Sequence, residues 1–291
     1  MTKPVGYCEA STLSYPQRDF IVTIQQGTSC KLAAARISQQ SETTQSVAQN
    51  CTFYQWGRKD PFPGAQNNGD SPKQKLCYKA DGSAFVYEKK GEITTEDSGK
   101  QSMKGSILNP TTFYFSKTTG GGDSDYDATK NDWCSTTYND NWSKISNNIS
   151  TDGWNDDNIT KTVYDPCPIG FKMPGCNAFT RFTPTGENTS VLSEFNVSNS
   201  SYAEGWWFYT QDDKNGEPYF WCAFGYIDCS ADRYSSTGKG CLASAGFAGY
   251  YWSARAYSAG RGCYLGFNSP RVFPRDYSLR AYGFAARPVS E

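Results

Sequence analysis

Aromatic residues in this chain come in short runs separated by turn-forming residues, and that spacing limits the fold more than any other feature. "EGWWFYT" (Glu204 to Thr210), "PYFWCAFGY" (Pro218 to Tyr226), "AGYYWSA" (Ala248 to Ala254), "CYLGF" (Cys263 to Phe267) and "YGFAARPV" (Tyr282 to Val289) are too short for stable helices and rich in strand formers. The first two are joined by "QDDKNGE", a turn composition. Nearer the start, "RDFIVTIQQ" (Arg18 to Gln26) alternates as a strand, and "CTFYQWGRKDPFPG" (Cys51 to Gly64) predicts an aromatic strand that stops at Pro61 and Pro63. Residues 116–162 are dominated by Ser, Thr, Asn, Asp and Gly and read as long loops pinned by Trp133, Trp142 and Trp154; "TVYDPCPIGFKMPG" (Thr162 to Gly175) reads as a proline-rich turn. No repeat of 20–50 residues is visible. The expected class is α+β and β-rich, with long irregular loops. Aromatics are 15% of residues, enough apolar area to hold such strands against the entropy of ordering them.

Charge excludes several partners. Charged residues are 20% of the chain and the net charge is −1, so no electrostatic footprint for nucleic acid or an anionic membrane surface exists. Mean hydropathy is −0.67 and no apolar run approaches about 18 residues, so no membrane span is expected. "MTKPVGYCEASTLSYP" lacks the apolar core of a secretory leader. Either the chain is intracellular or a leader is absent from it, and the composition favours an extracellular protein.

There is no histidine. Ser-His-Asp and Cys-His nucleophiles, His-ligated metals and a histidine switch near neutral pH are therefore excluded. The 11 cysteines are irregularly spaced and contain no C-x-x-C pair. A partial disulfide framework and plain thiols both remain open, with thiols the simpler reading; an odd count leaves at least one outside any intrachain pair.

Two loops invite a metal reading and neither supports one well. "GGGDSDYDATKND" sets Asp123, Asp125 and Asp127 at alternate positions and adds Asp132, a pattern that can wrap a hard cation. The sixth loop position is Ala128 and the twelfth Cys134, where an EF-hand needs glycine and glutamate, so a solvated acidic loop is expected. "WND" (Trp154 to Asp156) is a calcium-ligand tripeptide in C-type lectins, but neither companion triplet occurs, and "EPY" (Glu217 to Tyr219) is a poor match. A turn with a packed Trp154 is the plainer reading. The Asn-x-Ser/Thr triplets at Asn141, Asn148 and Asn158 carry no information in so Asn- and Ser-rich a region.

The C-terminal stretch departs from the rest of the chain. Five of the 11 arginines and none of the 17 lysines fall between Arg255 and Arg280. Residues 255–282 contain no Lys, Glu, Gln, Met or Trp, although these types make up 50 of 291 residues. At that rate the window should hold about five of them, and an empty one has a chance of roughly half a percent on composition alone. All five have only codons ending in a purine. A codon of two free bases and a terminal pyrimidine encodes the other fifteen amino acids, arginine among them. Scrambling the first two bases of Asn codons therefore produces this bias. Alternation along the same stretch puts Leu265 and Phe267 on one strand face with Tyr264 and Gly266 on the other, and sets Arg271, Phe273 and Arg275 against Val272 and Pro274. An ordinary surface strand would carry Lys, Glu, Gln or Thr on its open face; here it carries Arg, Tyr, Phe and Gly, types enriched in interface hot spots and paratopes.

"GYYWSARAYSAGRGCYLGFNSPRVFPRDYSLRAYGFAARPV" resembles the variable region of target proteins of diversity-generating retroelements, in which reverse transcription scrambles template adenines and rewrites the 3′ end of a gene. The matching frame is Tyr251-Trp252-Ser253-Ala254, Leu265, Phe267-Asn268-Ser269, Val272, Pro274, Arg280, Gly283-Phe284 and Arg287-Pro288-Val289. The resemblance implies variable positions at Arg255, Tyr257, Gly260, Arg261, Tyr264, Gly266, Arg271, Phe273, Arg275, Asp276, Tyr277, Ser278, Leu279 and Tyr282, with Cys263 at the margin as a chance product of the scrambling. Each is reachable from an Asn codon by changes at adenines. "FYQWGRKDPFPG" and "DPCPIGFKMP" are similar to segments of surface proteins and pilus-tip adhesins of gut anaerobes, whose C-terminal domain is related to the C-type lectin and formylglycine-generating-enzyme fold.

The implied organisation is an N-terminal β segment, residues 1–50, readable as the end of an immunoglobulin-like module, then a C-type-lectin-like ligand-binding domain, residues 51–291, with the variable region at about 252–289. The implied function is non-enzymatic: an adhesin whose outward variable residues bind a surface protein or glycan, without metal or cofactor. A pilus tip or bacterial cell surface is the expected location, with a pilus or tail-fibre assembly as partner. A phage tail-fibre receptor-binding protein of the same fold and a calcium-dependent carbohydrate-binding lectin are the alternatives. An enzyme on the related fold would need a redox-active cysteine pair, and no spacing commends Cys222, Cys229 or Cys241. The plainest alternative is a β-sandwich edge with an accidental arginine cluster.

Overall fold

The structure, a computed structural model, describes residues 52–59, 62–63, 77–78, 84–85, 142–143, 154, 159–209, 211, 214, 216–227, 242–258 and 260–291. The N-terminal β segment with its Arg18–Gln26 strand, the aspartate loop at 123–132, Trp133, the triplet asparagines Asn141, Asn148 and Asn158, Asn155 and Asp156, and the possible enzyme cysteines Cys229 and Cys241 lie outside the described residues.

The described chain is β-rich, as expected. Its strands are β1 (Thr52–Gln55), β2 (Phe62–Pro63), β3 (Cys77–Tyr78), β4 (Ala84–Phe85), β5 (Phe171–Lys172), β6 (Gly205–Tyr209), β7 (Pro218–Cys222), β8 (Tyr226–Ile227), β9 (Leu242–Ala243), β10 (Ala248–Ser258), β11 (Arg261–Asn268), β12 (Arg271–Leu279), β13 (Gly283–Ala285) and β14 (Val289–Ser290). The main sheet runs β12-β11-β10-β13-β1-β2, with β8 and β9 attached through β13. The pairs β10–β11 and β11–β12 are antiparallel, and β10 meets β13 in parallel at Tyr251 and Ala285. The aromatic runs thus became strands. The first ends earlier than its prolines suggested, because the chain turns at Trp56 and Gly57, with Gly57 at φ 86°.

Alternation in β10 sends Tyr251 to one side of the sheet and Trp252 to the other, and each side has its own aromatic core. On the first side Tyr251, Leu265, Phe267 and Val272 pack against Trp206 and Phe208 of β6, Phe220 and Trp221 of β7, and Phe179 and Phe182 of a 3-10 turn, Cys176–Phe182. Phe182 stacks on Phe208 at 4.3 Å between ring centres, and Phe208 meets Phe267 edge-on at 5.5 Å. On the second side Trp56, Trp142, Trp252, Met173 and Phe284 form a cluster in which Trp252 stacks on Phe284 at 4.1 Å. Indole N–H groups cross between elements here: Trp252 donates to Tyr54 O at 2.8 Å, Trp56 to Ser253 O at 2.9 Å, and Trp142 to Arg58 O at 3.0 Å. Buried in hydrocarbon, each N–H would cost free energy without such an acceptor.

The proline-rich turn is folded around one buried carboxylate. Asp165 accepts the N–H of Cys167 at 2.7 Å and that of Met173 at 2.9 Å. Burial pushes its pKa up, while these two N–H groups and Lys161 oppose that shift. Lys161 Nζ donates to Pro168 O at 2.6 Å and to Phe171 O, and pairs with Glu291 at 3.2 Å. The turn delivers Pro174 O to Ala254 N at 2.7 Å and leads directly into the 3-10 turn beneath β11 and β12.

Phe267 is fully enclosed, and its ring lies where any Cβ on Gly249 would meet it at 2.3 Å. Neither neighbour can collapse into its space, so Phe267→Ala is expected to lower unfolding free energy by about 3–5 kcal/mol in a denaturant titration.

Candidate functional site

Thirteen of the fourteen candidate variable residues lie on the three long C-terminal strands or in the turn between β10 and β11, and Tyr282 lies in the connection from β12 to β13. Cross-strand partners share a face, so the pairings sort the residues. Cys263 pairs with Tyr277 and Arg261 with Leu279, whereas Tyr264 pairs with Asp276 and Gly266 with Phe273. The candidates therefore divide between both faces of the ribbon instead of lying on one outer surface.

The first group is built on two stacked tyrosines. Tyr257 and Tyr277 lie ring to ring at 3.7 Å with 15° between planes. Arg261 sits over Tyr277 at 5.2 Å, and Arg275 sits over Trp154 at 5.2 Å while pairing with Glu187. Trp154 also contacts Tyr257 at 6.2 Å, and Asn177 donates to the Trp154 carbonyl. Tyr277 is the most open of these rings, at 38% exposure. Guanidinium over ring and ring over ring hold the side chains in place and still leave edges and N–H groups to contact a ligand.

The second group joins an aromatic wall. Tyr264 donates its hydroxyl to Asp276 at 3.2 Å and meets Tyr250 at 5.8 Å and Phe284 at 5.1 Å. Tyr282 stacks on Phe284 at 5.7 Å, and Tyr226 stands edge-on to both Tyr250 and Tyr282. Phe273 lies beside Gly266, where an added Cβ would meet the Tyr264 ring at 2.8 Å. Any larger residue at 266 must move that ring. Half-buried Tyr250 has its pKa raised, mainly by burial and further by the Asp276 carboxylate.

The remaining candidates scatter. Arg271 is exposed beside the β11–β12 turn, and Ser278 and Leu279 close β12. Gly260 forms the β10–β11 turn at φ 78°, a backbone that most side chains disfavour. Arg255 is a correction: at 1% exposure it lies inside, so it is not displayed as an outward residue. Its backbone N–H is taken by Ser253 Oγ at 3.1 Å. The arginine-only stretch thus serves two purposes, with Arg255 and Arg280 buried and Arg261, Arg271 and Arg275 at or near the surface.

Trp154, Glu187, Tyr226 and Tyr250 belong to these two groups and were not marked as site residues by the sequence. Glu187 carries no local signal, being one acid in a polar loop. It reaches Arg275 because the loop crosses β12, where Thr189 and Val272 exchange backbone bonds at 2.9 and 3.0 Å.

Among the described residues no three His, Cys, Asp or Glu side chains come together as a metal site, and no helix is long and apolar enough to cross a membrane. Compared with known proteins, the chain matches no family model, no curated protein and no solved structure.

Removing Arg255 empties a closed site, while removing Arg271 empties only solvent. Arg255→Ala is expected to cost about 1–3 kcal/mol and Arg271→Ala less than about 0.5 kcal/mol in chemical denaturation. Equal effects would place Arg255 at the surface. The half-buried phenols give a pH signature. Tyr250 and the Tyr202 hydroxyl, which donates to Phe247 O at 2.8 Å, are both raised above the ordinary tyrosine range. Unfolded tyrosine ionises near pH 10 while these stay neutral, so stability holds up to about pH 10 and falls as pH rises further. Unfolding midpoints at pH 9 and 11 check this, and Tyr250→Phe should shrink the fall.

Proposed function

We propose that this chain is a non-enzymatic ligand-binding protein of the adhesin kind, a variable target of a diversity-generating retroelement built on a C-type-lectin-like scaffold. One observation carries the reading. A window lacking every residue type encoded only by purine-ending codons coincides with three strands whose fixed apolar positions (Leu265, Phe267, Val272) are buried, while Tyr257, Arg261, Phe273, Arg275 and Tyr277 remain open to solvent in part.

Tyrosine and phenylalanine supply contact area at small entropic cost, and arginine supplies planar hydrogen bonding. The ligand is a surface protein or glycan, met at a bacterial cell surface or pilus tip. Binding uses neither metal nor cofactor. The Tyr257–Tyr277 group and the Tyr264–Phe273 group, on opposite faces, form two parts of one ligand-contacting ribbon, with Arg271 beyond Phe273 at the exposed turn.

Two measurements test this. Sequencing the kilobase or so downstream of the gene should find a near-copy of its last hundred-odd bases, mismatched mainly where the copy has adenine, beside a reverse transcriptase gene. No such copy near the gene would remove the retroelement reading. For binding, Tyr277→Ala and Phe273→Ala should each weaken capture of the target about tenfold or more. Their thermal midpoints should stay close to that of the parent protein. Undiminished affinity in both variants would overturn the assignment of the ribbon as the binding surface.

A further inference from the structure

Cys176 and Cys263 come from elements far apart in sequence, the first residue of the 3-10 turn and the middle of β11, and they pack on each other in one small buried cluster. Both are closed off from solvent, at 1% and 0% exposure. Trp154 and Tyr257, two members of the first aromatic group, cover the pair. Cysteine at 263 also faces the same way as Tyr277, its partner across the ladder. Within this cluster the other thiol is the group with which each cysteine can react.

We propose that Cys176 and Cys263 form a disulfide that fastens the 3-10 turn to β11 beneath the Tyr257–Tyr277 stack. The oxidant is a small or protein-borne disulfide, such as oxidised glutathione, acting as the chain folds and before the pair is sealed. One cysteine thiolate attacks that disulfide, giving a mixed disulfide and releasing one glutathione thiolate. The other cysteine thiolate then attacks the protein sulfur of the mixed disulfide, forming the Cys176–Cys263 bond and expelling the second glutathione thiolate. The protein loses two electrons and two protons, and two molecules of reduced glutathione carry them away.

The bond gives position 263 a role that its chance origin would not predict. A cysteine written there by diversification is locked to a fixed partner, and the floor under Tyr257 and Trp154 becomes covalent. The proposal stands on the burial of the two cysteines in one cluster and does not require the ligand-binding reading.

Trypsin provides a direct test, because Met173 to Arg181 and Gly262 to Arg271 each contain a single cysteine. The full chain is reduced and unfolded, refolded in a glutathione redox buffer, quenched with N-ethylmaleimide under denaturing conditions, and digested without reductant. The expected product is these two peptides joined, separating on reduction. Maleimide on both cysteines in protein that has regained its native near-ultraviolet spectrum, or linkage of either to another cysteine, would overturn the proposal. A second readout is the drop in thermal midpoint on reduction. Part of that drop should be lost in both Cys176→Ala and Cys263→Ala, and to the same extent, whereas a purely packing role would leave the reduction-dependent drop unchanged in both.

Discussion

Two tryptophans hold the sheet together by bonding across it in opposite directions. Trp252 of β10 donates to Tyr54 O in β1, and Trp56, just beyond β1, donates back to Ser253 O in β10. Between these elements runs β13, whose Phe284 is stacked under Trp252. A strand of three residues such as β13 cannot be held by its ladder alone. The crossed indoles fix its neighbours at a set spacing and enclose it, so the chain's C-terminal end is anchored to residues some two hundred positions earlier. Arg280, over Trp56 at 5.2 Å, and Gln55, donating to Ala281 O at 2.8 Å, extend the same clasp to the chain between β12 and β13. β10, β11 and β12 extend from this anchored edge as a ribbon.

That arrangement separates the residues that hold the sheet together from the open side chains of the ribbon. The indole clasp and the β6–β7 aromatic layer use buried strand residues and upstream residues, and none of the open side chains of the ribbon takes part in either. Position 266 shows where the separation is incomplete. Gly266 leaves the Tyr264 ring in place, and a bulkier residue there would redirect it, so neighbouring candidate positions act on one another through sterics.

Much of the fold was legible because aromatic runs of five to nine residues have few options other than strands, and because Leu265, Phe267 and Val272 alternate cleanly. The end of β7 was not. The run "PYFWCAFGY" reads as one strand, but Gly225 sits at φ 74° with its α-carbon so close to Ala243 O that a Cβ would lie 2.1 Å from it, and the chain must break there. The site was only half legible for a different reason. A period of two separates the faces of a strand, but it does not say whether a second core covers the other face. Here one does, and Tyr264 and Trp252 are packed where a one-sided sheet would leave them open. Nor does sequence distinguish Arg255 from Arg271, since burial of a guanidinium depends on the bulge that interrupts β10 near Ala256 and on what folds over it.

Pro274 sits in the middle of β12, the outermost strand of the main sheet, at a register shift where Leu265 faces two residues instead of one. Beside it, Thr189 already occupies both backbone groups of Val272. A strand at the rim of a sheet ordinarily offers a row of free amides and carbonyls to any other extended chain. Here one amide is missing, the ladder is kinked, and part of the rim is capped by a loop. None of these devices depends on the side chains at 271, 273, 275 or 277. Replacing those side chains would therefore leave the rim protected against backbone pairing with another extended chain.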